Sequence, residues 1–451
     1  MLMKKYLKTL TVLLGLSLGN AFSGCGRVDP PTDPPVVEDE NSEHTEAPEV
    51  PVSTEPDPAE EPVFIPSVES EAEDGPEHSD TNGEEISILM AGDILLHDPI
   101  EEIAKEADGS FDFHFLFRET EEQIRSADIA IVNQEVIIGG KDLGISGYPT
   151  FNAPEEIGDA LADSGFDVVC HATNHALDKG KAGIQNTLSM WGSAHPDMEI
   201  AGIRTSEEKK DRFPVVQAHG IRIAILNYTS TTNGIPMPPD MPYAVDLLQE
   251  DTVKSDLEEA EQTADLTVVC PHWGTEYSHE VSEEQLFWME FFREHGADVV
   301  IGTHPHVIEP IGIMDAQGFS PLHEAMEAPI PNNHGDGALL IFSSIGNFCN
   351  WTSGTGSGVA DRMLGGLACV RVQKDPEGAV FVAGSAVLPV ICHVSENREE
   401  FTVYPIDRYS EELGEKNEIR SQDPAFSYEY CLELCDRIWG GFWKQDILKS
   451  E

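Results

Sequence analysis

The chain has 451 residues, 40% of them hydrophobic and 8% aromatic, too much apolar material for a wholly disordered protein and enough for one large domain or two ordinary ones. Its 82 Asp and Glu against 27 Lys and Arg give a formal charge of −55; that field repels nucleic-acid phosphates, which excludes DNA or RNA binding as a main function, and makes an anionic membrane surface a poor electrostatic partner. Eight cysteines without a CxxC pair argue against a disulfide scaffold and against a structural zinc finger.

The first element is an export signal, residues 1–25. Lys4, Lys5 and Lys8 precede an apolar run over 10–18, short for a bilayer span and suited to a secretory core. Ser23-Gly24 then lead into Cys25. Small residues before a cysteine resemble a bacterial lipoprotein signal, with Cys25 lipidated as the first mature residue and Phe22 standing where Leu is usual. The alternative is an ordinary cleaved signal with an incidental cysteine. Either reading exports the chain; the lipid reading anchors it to the membrane by its N-terminus, on the extracellular face.

Residues 26–85 hold 11 Pro, 20 Asp and Glu, one basic residue, Arg27, and one aromatic, Phe64. Such a segment cannot bury enough apolar area to offset its ordering entropy, so it is expected to be an extended, solvated spacer. The spacer carries −19 and the signal +3, which leaves −39 of the total on residues 86–451. A site for an anionic substrate in so acidic a domain needs local positive charge, and a metal ion is the obvious source.

From residue 86 short apolar runs alternate with helix-length amphipathic stretches. Strands are expected at 86–96, 127–133, 167–170, 221–227, 266–270, 299–301 and 338–343. Helices are expected at 155–164, between Pro154 and Gly165, at 251–263, and at 283–295 before Gly296. Residues 366–373 and 379–390 read as strands without an intervening helix. The pattern is an α/β domain over 86–395 with a mostly parallel start and a β-rich second half. Residues 396–451 read as a C-terminal extension, partly helical, in which Cys431 and Cys435 are expected neither to bridge nor to bind metal.

The metal-binding residue types gather just after the apolar runs, where open α/β sheets collect ligand sites. In order these are Asp93; Asn133 and Glu135; Asn174, His175 and Asp178; His272 and Glu276; His304 and His306; and Asn347. Each alone has an ordinary reading as a turn, a helix start or a packed ring. His304-Pro305-His306 is harder to dismiss, because two imidazoles two residues apart project to one side of an extended chain. Six strand ends carrying such residues point to a convergent metal site. Carboxylate, amide and imidazole without thiolate suit Mn, Fe or Zn. Cys170 and Cys270 end apolar runs and are expected to pack in the core.

The stretches 90–93 (MAGD), 133–135 (NQE), 151–154 (FNAP), 172–180 (ATNHALDKG), 272–277 (HWGTEY), 302–306 (GTHPH) and 344–348 (SIGNF) resemble, in order, the CapA family of capsule-synthesis (poly-γ-glutamate synthesis) proteins, which looks like a branch of the calcineurin-like metallophosphatase fold. The resemblance implies a four-layer α/β/β/α sandwich with one or two divalent ions at the strand ends. By motif, Asp93 and His306 bind a first metal. Glu135 bridges to a second, held by Asn174, His272 and His304. His175, ordered by Asp178, faces the substrate as acid or electrostatic stabiliser, and Glu276 and Asn347 are expected to contact substrate. Four positions depart from the pattern. Leu95 stands where calcineurin-like enzymes carry a first-metal histidine, with His97 nearby at the wrong spacing, so the first site is short of a ligand. Glu135 replaces an Asp, while Thr173 and Thr303 replace an Asn and a His, with effects expected only on the groups around the ligands.

Two functions follow from the resemblance. One is a metal-dependent, phosphoesterase-like hydrolase acting on a phosphoester or on a γ-glutamyl or similar bond of an envelope or capsule polymer. The other is a non-catalytic, metal-dependent polymer-binding or export component of a capsule-synthesis membrane complex. A third, metal-free reading is a small-ligand or peptide binder.

Overall fold

A computed structural model describes residues 84–444 except 209–211, 327 and 353; the expected export signal, Cys25 and the expected spacer up to residue 83 lie outside the described residues. In chain order the elements are β1 (Glu84–Leu95), α1 (Asp98–Ala104), α2 (Glu121–Ser126), β2 (Ile129–Gln134), α3 (Glu156–Ser164), β3 (Val168–Cys170), α4 (Gly180–Ala194), β4 (Glu199–Ala201), β5 (Val215–Ala218), β6 (Ile221–Thr229), α5 (Glu250–Thr263), β7 (Leu266–His272), α6 (Glu283–Glu294), β8 (Val299–Ile301), β9 (Ile311–Asp315), β10 (Gly318–Pro321), β11 (Ile330–Pro331), β12 (Leu339–Phe342), β13 (Asn347–Asn350), β14 (Leu364–Lys374), β15 (Val380–Val394), β16 (Phe401–Pro405), α7 (Glu411–Lys416) and α8 (Tyr428–Trp439).

The strands form two sheets. The first runs β11-β15-β14-β1-β2-β3-β4, with β13 also on β1 and β16 on β15; the second runs β10-β9-β12-β8-β7-β6-β5. β1 to β4 pair in parallel, as do β6, β7, β8 and β12. β14 and β15 join antiparallel.

Side-chain alternation along the second sheet sorts its residues into two layers. Ile223, Ile225, Val268, Val299, Ile301, Leu340 and Phe342 belong to the core shared with the first sheet. Their neighbours Ala224, Leu226, Val269, Val300, Leu339 and Ile341 pack with Val253 and Leu257 of α5 and with Trp288, Met289 and Phe292 of α6. On the first sheet, Ile157 and Leu161 of α3 join the same large core. Helix, sheet, sheet, helix is the layer order, the four-layer α/β/β/α sandwich that the family resemblance implies. Cys170 and Cys270 are buried, free and in the shared core, and Cys431 and Cys435 are buried and free.

Two boundaries move from their expected places. β1 starts at Glu84, because Glu84 and Glu85 pair with Lys374 and Gln373 of β14, so two acidic residues expected in the spacer are strand. The segment set apart at 396 is built into the domain as far as it is described: β16 pairs with β15, and Cys431, Leu434, Cys435, Trp439 and Phe442 enter the large core.

The ends of β1, β2 and β13 lie side by side, with Asp93 opposite both Asn133 and Asn347. Gly92 permits this approach: a Cβ there would sit 2.1 Å from the Gly346 carbonyl oxygen, and the β1 ladder shifts register at that point.

Candidate metal centre

The strand ends bring Asp93, Glu135, Asn174, His272, His304 and His306 together, each under a tenth exposed. His272 ends β7. Its Nδ1 lies 3.0 Å from the Thr303 hydroxyl, and its Nε2 faces Asn174 Oδ1 at 3.0 Å, His304 Nδ1 at 3.2 Å and Glu135 Oε1 at 3.7 Å. A hydrogen on Nδ1, shared with the Thr303 hydroxyl, would leave the Nε2 lone pair for a metal; Asn133 Nδ2 lies 3.5 Å from the same Nδ1. The spacings around Nε2 match ligand atoms around an ion bound at about 2.0–2.2 Å, which sit roughly 3 Å apart.

The second subsite lies on the other side of Glu135. His306 Nδ1 is 3.0 Å from Asn347 Oδ1 and 3.3 Å from Asp93 Oδ2. Two acceptors there fix the hydrogen on Nδ1 and free Nε2, which faces Glu135 Oε1 at 3.6 Å. Asp93 is further held by Asn133 Nδ2, donating at 2.8 Å, and by the His304 N–H at 3.1 Å.

Both carboxylate oxygens of Glu135 are buried without a hydrogen-bond partner, an arrangement that costs free energy unless something else satisfies them. Burial pushes the Glu135 carboxyl well above its usual range. Burial also drives His272 well below the usual imidazole value, and His304 down to about 3, both helped by the neighbouring rings. His306 goes the other way, to about 9: burial pulls it down, but the carboxylates of Glu135 and Asp93 outweigh it. Burial thus disfavours charge on Glu135, His272 and His304, while the carboxylates favour it on His306. Lone pairs converging on an anionic, dehydrated centre fit a divalent cation. The residue groups able to hold one are Glu135, His272 and His304; Asp93, Glu135 and His306; and Glu276, His304 and His306.

His304 and His306 do not stand on an extended strand as their spacing suggests. Their φ angles are 96° and 59°, and the ring centres are 5.8 Å apart and tilted by 56°. The loop turns left-handed at both residues, so the two imidazoles reach different subsites. Non-glycine residues held there are strained, and such strain collects at functional sites.

His175 is placed beside this cluster. Its Nδ1 bonds Asp178 Oδ2 at 2.7 Å, and the same oxygen accepts the Phe151 N–H at 2.7 Å. The Phe151 ring packs edge-on against the imidazole, centre to centre 4.6 Å. Thr173 donates its hydroxyl to the Glu135 carbonyl at 2.7 Å and accepts the His175 N–H at 3.2 Å. Thr173 and Thr303 accordingly act on the ligand residues and are not ligands.

A cavity of about 270 Å³ opens over the cluster, lined among others by His97, His175, Glu276, Tyr277, His306 and Arg362. Glu276 faces it. Asn347 does not: it is fully buried, its Oδ1 is taken by His306, and its Nδ2 donates to the carbonyls of His306 and Arg362 at 2.9 and 3.0 Å. Its place at the end of a strand suggested a substrate contact, but both ends of its amide hold the loops. His97 reaches the cavity wall and packs on Phe151 at 5.1 Å, without joining any of the three-donor groups. The sequence reading missed Tyr277 and Arg362. Tyr277 had a signal, since it lies inside the 272–277 stretch; Arg362 had none.

The two sheets and their strand-end donors define an α/β/β/α protein with residues able to hold divalent metal. Residues 87–351 match the family described as Bacterial capsule synthesis protein PGA_cap, and the chain belongs to that family. It is 30% identical over 196 residues to the PGA biosynthesis protein CapA of Bacillus subtilis (strain 168), covering 43% of this chain and 45% of that one. It is 27% identical over 291 residues to the capsule biosynthesis protein CapA of Bacillus anthracis, covering 60% and 61%. The match thus spans about half to three fifths of each relative. Solved structures with a similar arrangement include the NAD nucleotidase of Haemophilus influenzae (TM-score 0.41, 14% identity, 68% of this chain and 58% of that one). Another is a 5'-nucleotidase precursor from Thermus thermophilus (TM-score 0.41, 13% identity, 78% and 59%).

Proposed function

We propose that this protein is a metal-dependent hydrolase of capsule synthesis, lipid-anchored through Cys25 outside the cell, that cleaves a phosphoester or a γ-glutamyl-type bond of an envelope polymer. The observation that carries the reading is the His175–Asp178 pair, 2.7 Å apart, with His175 in the wall of the cavity that His306 also lines. Asn174, His272, His304 and Glu135 would hold one ion, and Asp93, Glu135 and His306 would hold another; Mn, Fe and Zn suit these donors. Bound ions supply Lewis acidity to water and to the attacked phosphorus or carbonyl centre. The chain does the rest. Asp178 keeps the Nδ1 hydrogen of His175 in place, Phe151 fixes the ring plane, and Nε2 delivers a proton to the leaving oxygen or nitrogen.

A second reading is a non-catalytic component that uses the ions to bind carboxylate-rich polymer within a capsule assembly. Leu95 favours it, since an apolar side chain stands where a further first-site ligand is usual.

The test is the full-length protein loaded with Mn²⁺ or Zn²⁺, assayed on an aryl phosphodiester and on a γ-linked glutamate oligomer beside His175→Ala. Turnover that the substitution abolishes supports hydrolysis. Tight oligomer binding without turnover of either substrate supports the second reading and overturns the first.

A further inference from the structure

We propose that Arg362 is the residue that recognises the anionic group of the substrate at this cavity, and that the C-terminal segment exists in part to hold it there. The proposal rests on reading the cavity as the substrate site. Arg362 is the one permanently cationic side chain among the residues that line the cavity, in a domain that is otherwise strongly acidic. Its guanidinium lies 4.8 Å from the centre of the Tyr277 ring. Among the described residues no carboxylate lies within ion-pair distance of it. Glu276 lines the same cavity, but its carboxylate belongs with His304 and His306. The Tyr277 hydroxyl takes one hydrogen bond from the guanidinium, and the remaining donors of the fork suit a planar or tetrahedral oxyanion.

The position of Arg362 is built. Its carbonyl accepts from Asn347 Nδ2 at 3.0 Å, and Asn347 Oδ1 contacts His306 Nδ1 at 3.0 Å. One buried amide therefore ties the Arg362 backbone to the metal cluster, and Tyr277 places the guanidinium. From the other side, Tyr430 of α8 donates its hydroxyl to Asp361, Asp423 accepts the Ala360 N–H at 3.1 Å, and Gln422 donates to the Thr352 carbonyl at 2.8 Å. Arg362 and these fastenings lie beyond residue 351, where the family match ends. Exposed rings of Tyr148 and Tyr277 stand at the mouth, 76% and 53% exposed, where they suit the aliphatic parts of an extended chain. The ligand this fits is a chain bearing oxyanions, with one of them beside the bond at the metal.

The shared chemistry, carboxylate or phosphate, is resolved by two probes. Calorimetric titration of the full-length, Mn²⁺-loaded protein with a γ-linked glutamate decamer and with inorganic phosphate compares wild type, Arg362→Gln and Arg362→Lys, with bound metal measured on each sample. Arg362→Gln is expected to weaken one probe by roughly tenfold to a hundredfold, Arg362→Lys by less, and metal content to stay the same. Loss for the decamer assigns a carboxylate, loss for phosphate a phosphoryl group. Equal affinities of wild type and Arg362→Gln, or no binding of either probe by wild type, overturn the proposal. If wild type takes up no metal and Arg362→Gln still weakens the decamer, the hydrolase reading fails while this one stands.

Discussion

His272 Nε2 lies 3.2 Å from His304 Nδ1, and the Thr303 hydroxyl lies 3.0 Å behind His272 Nδ1, where it orients the ring. Removing the hydroxyl leaves the ligand in place but lets its ring turn. Thr303→Val is expected to weaken metal binding by about 10–100-fold, read from competition with a chelator of known affinity, while the fold stays intact by circular dichroism. His272→Ala, which removes the donor itself, is expected to lose more.

His175 and Asp178 make no contribution to the metal-donor groups, so their loss should separate chemistry from metal binding. His175→Ala is expected to lower kcat by about 10²–10⁴-fold at unchanged metal stoichiometry. Asp178→Asn should lower it too, because its Oδ2 receives both the His175 ring and the Phe151 N–H. A matching loss of metal in His175→Ala contradicts this division of roles.

Gly92→Ala tests the approach of the strand ends. The added methyl meets a backbone oxygen at 2.1 Å, which cannot rotate away as a side chain does. A destabilisation of about 3 kcal/mol is expected from chemical denaturation, with weakened metal binding because Asp93 is the next residue. A neutral result shows that β13 does not lie where it is described.

Glu309 gives a pH dependence outside the metal site. It is fully buried, its Oε2 accepts from Gln285 Nε2 at 2.6 Å, and its Oε1 has no partner. Burial raises its carboxyl to about 8. Between about pH 4.5 and 8 the native state keeps a proton that the unfolded chain releases, so this group makes stability fall as pH rises through that window. Glu309→Gln removes the titration. The Tm difference, variant minus wild type, is expected to grow by a few degrees from pH 5 to pH 8; a constant difference contradicts the assignment.

The long periodic elements were legible in the sequence. α3 and α6 fall at their expected places, with Gly165 taking the left-handed turn that ends α3 (φ 97°) and a Ser282–Gln285 capping box opening α6. The donor residues were legible because each follows an apolar run. α4 was missed: Gly180, Gly183 and Gly192 within it blur its helical pattern. The short strands β4, β10, β11 and β13 were missed as well, since two to four residues carry no readable period and owe their pairing to neighbours distant in sequence. Arg362 is the instructive case. Nothing near it in sequence marks it, and its segment is held by distant partners: Asn347 donates to the Arg362 carbonyl, Asp423 accepts the Ala360 N–H and Tyr430 donates to Asp361.

The central claim is that a divalent cation occupies the space between Glu135, His272 and His304. X-ray absorption at the metal edge of the full-length protein, purified and then reconstituted in turn with Mn²⁺, Fe²⁺ and Zn²⁺, measures this directly. The expected result is at least one tightly held ion with a nitrogen and oxygen shell that includes imidazole scattering, reduced in His272→Ala and in His304→Ala. Protein that retains none of the three ions, or an ion whose shell is unchanged in both variants, contradicts the account.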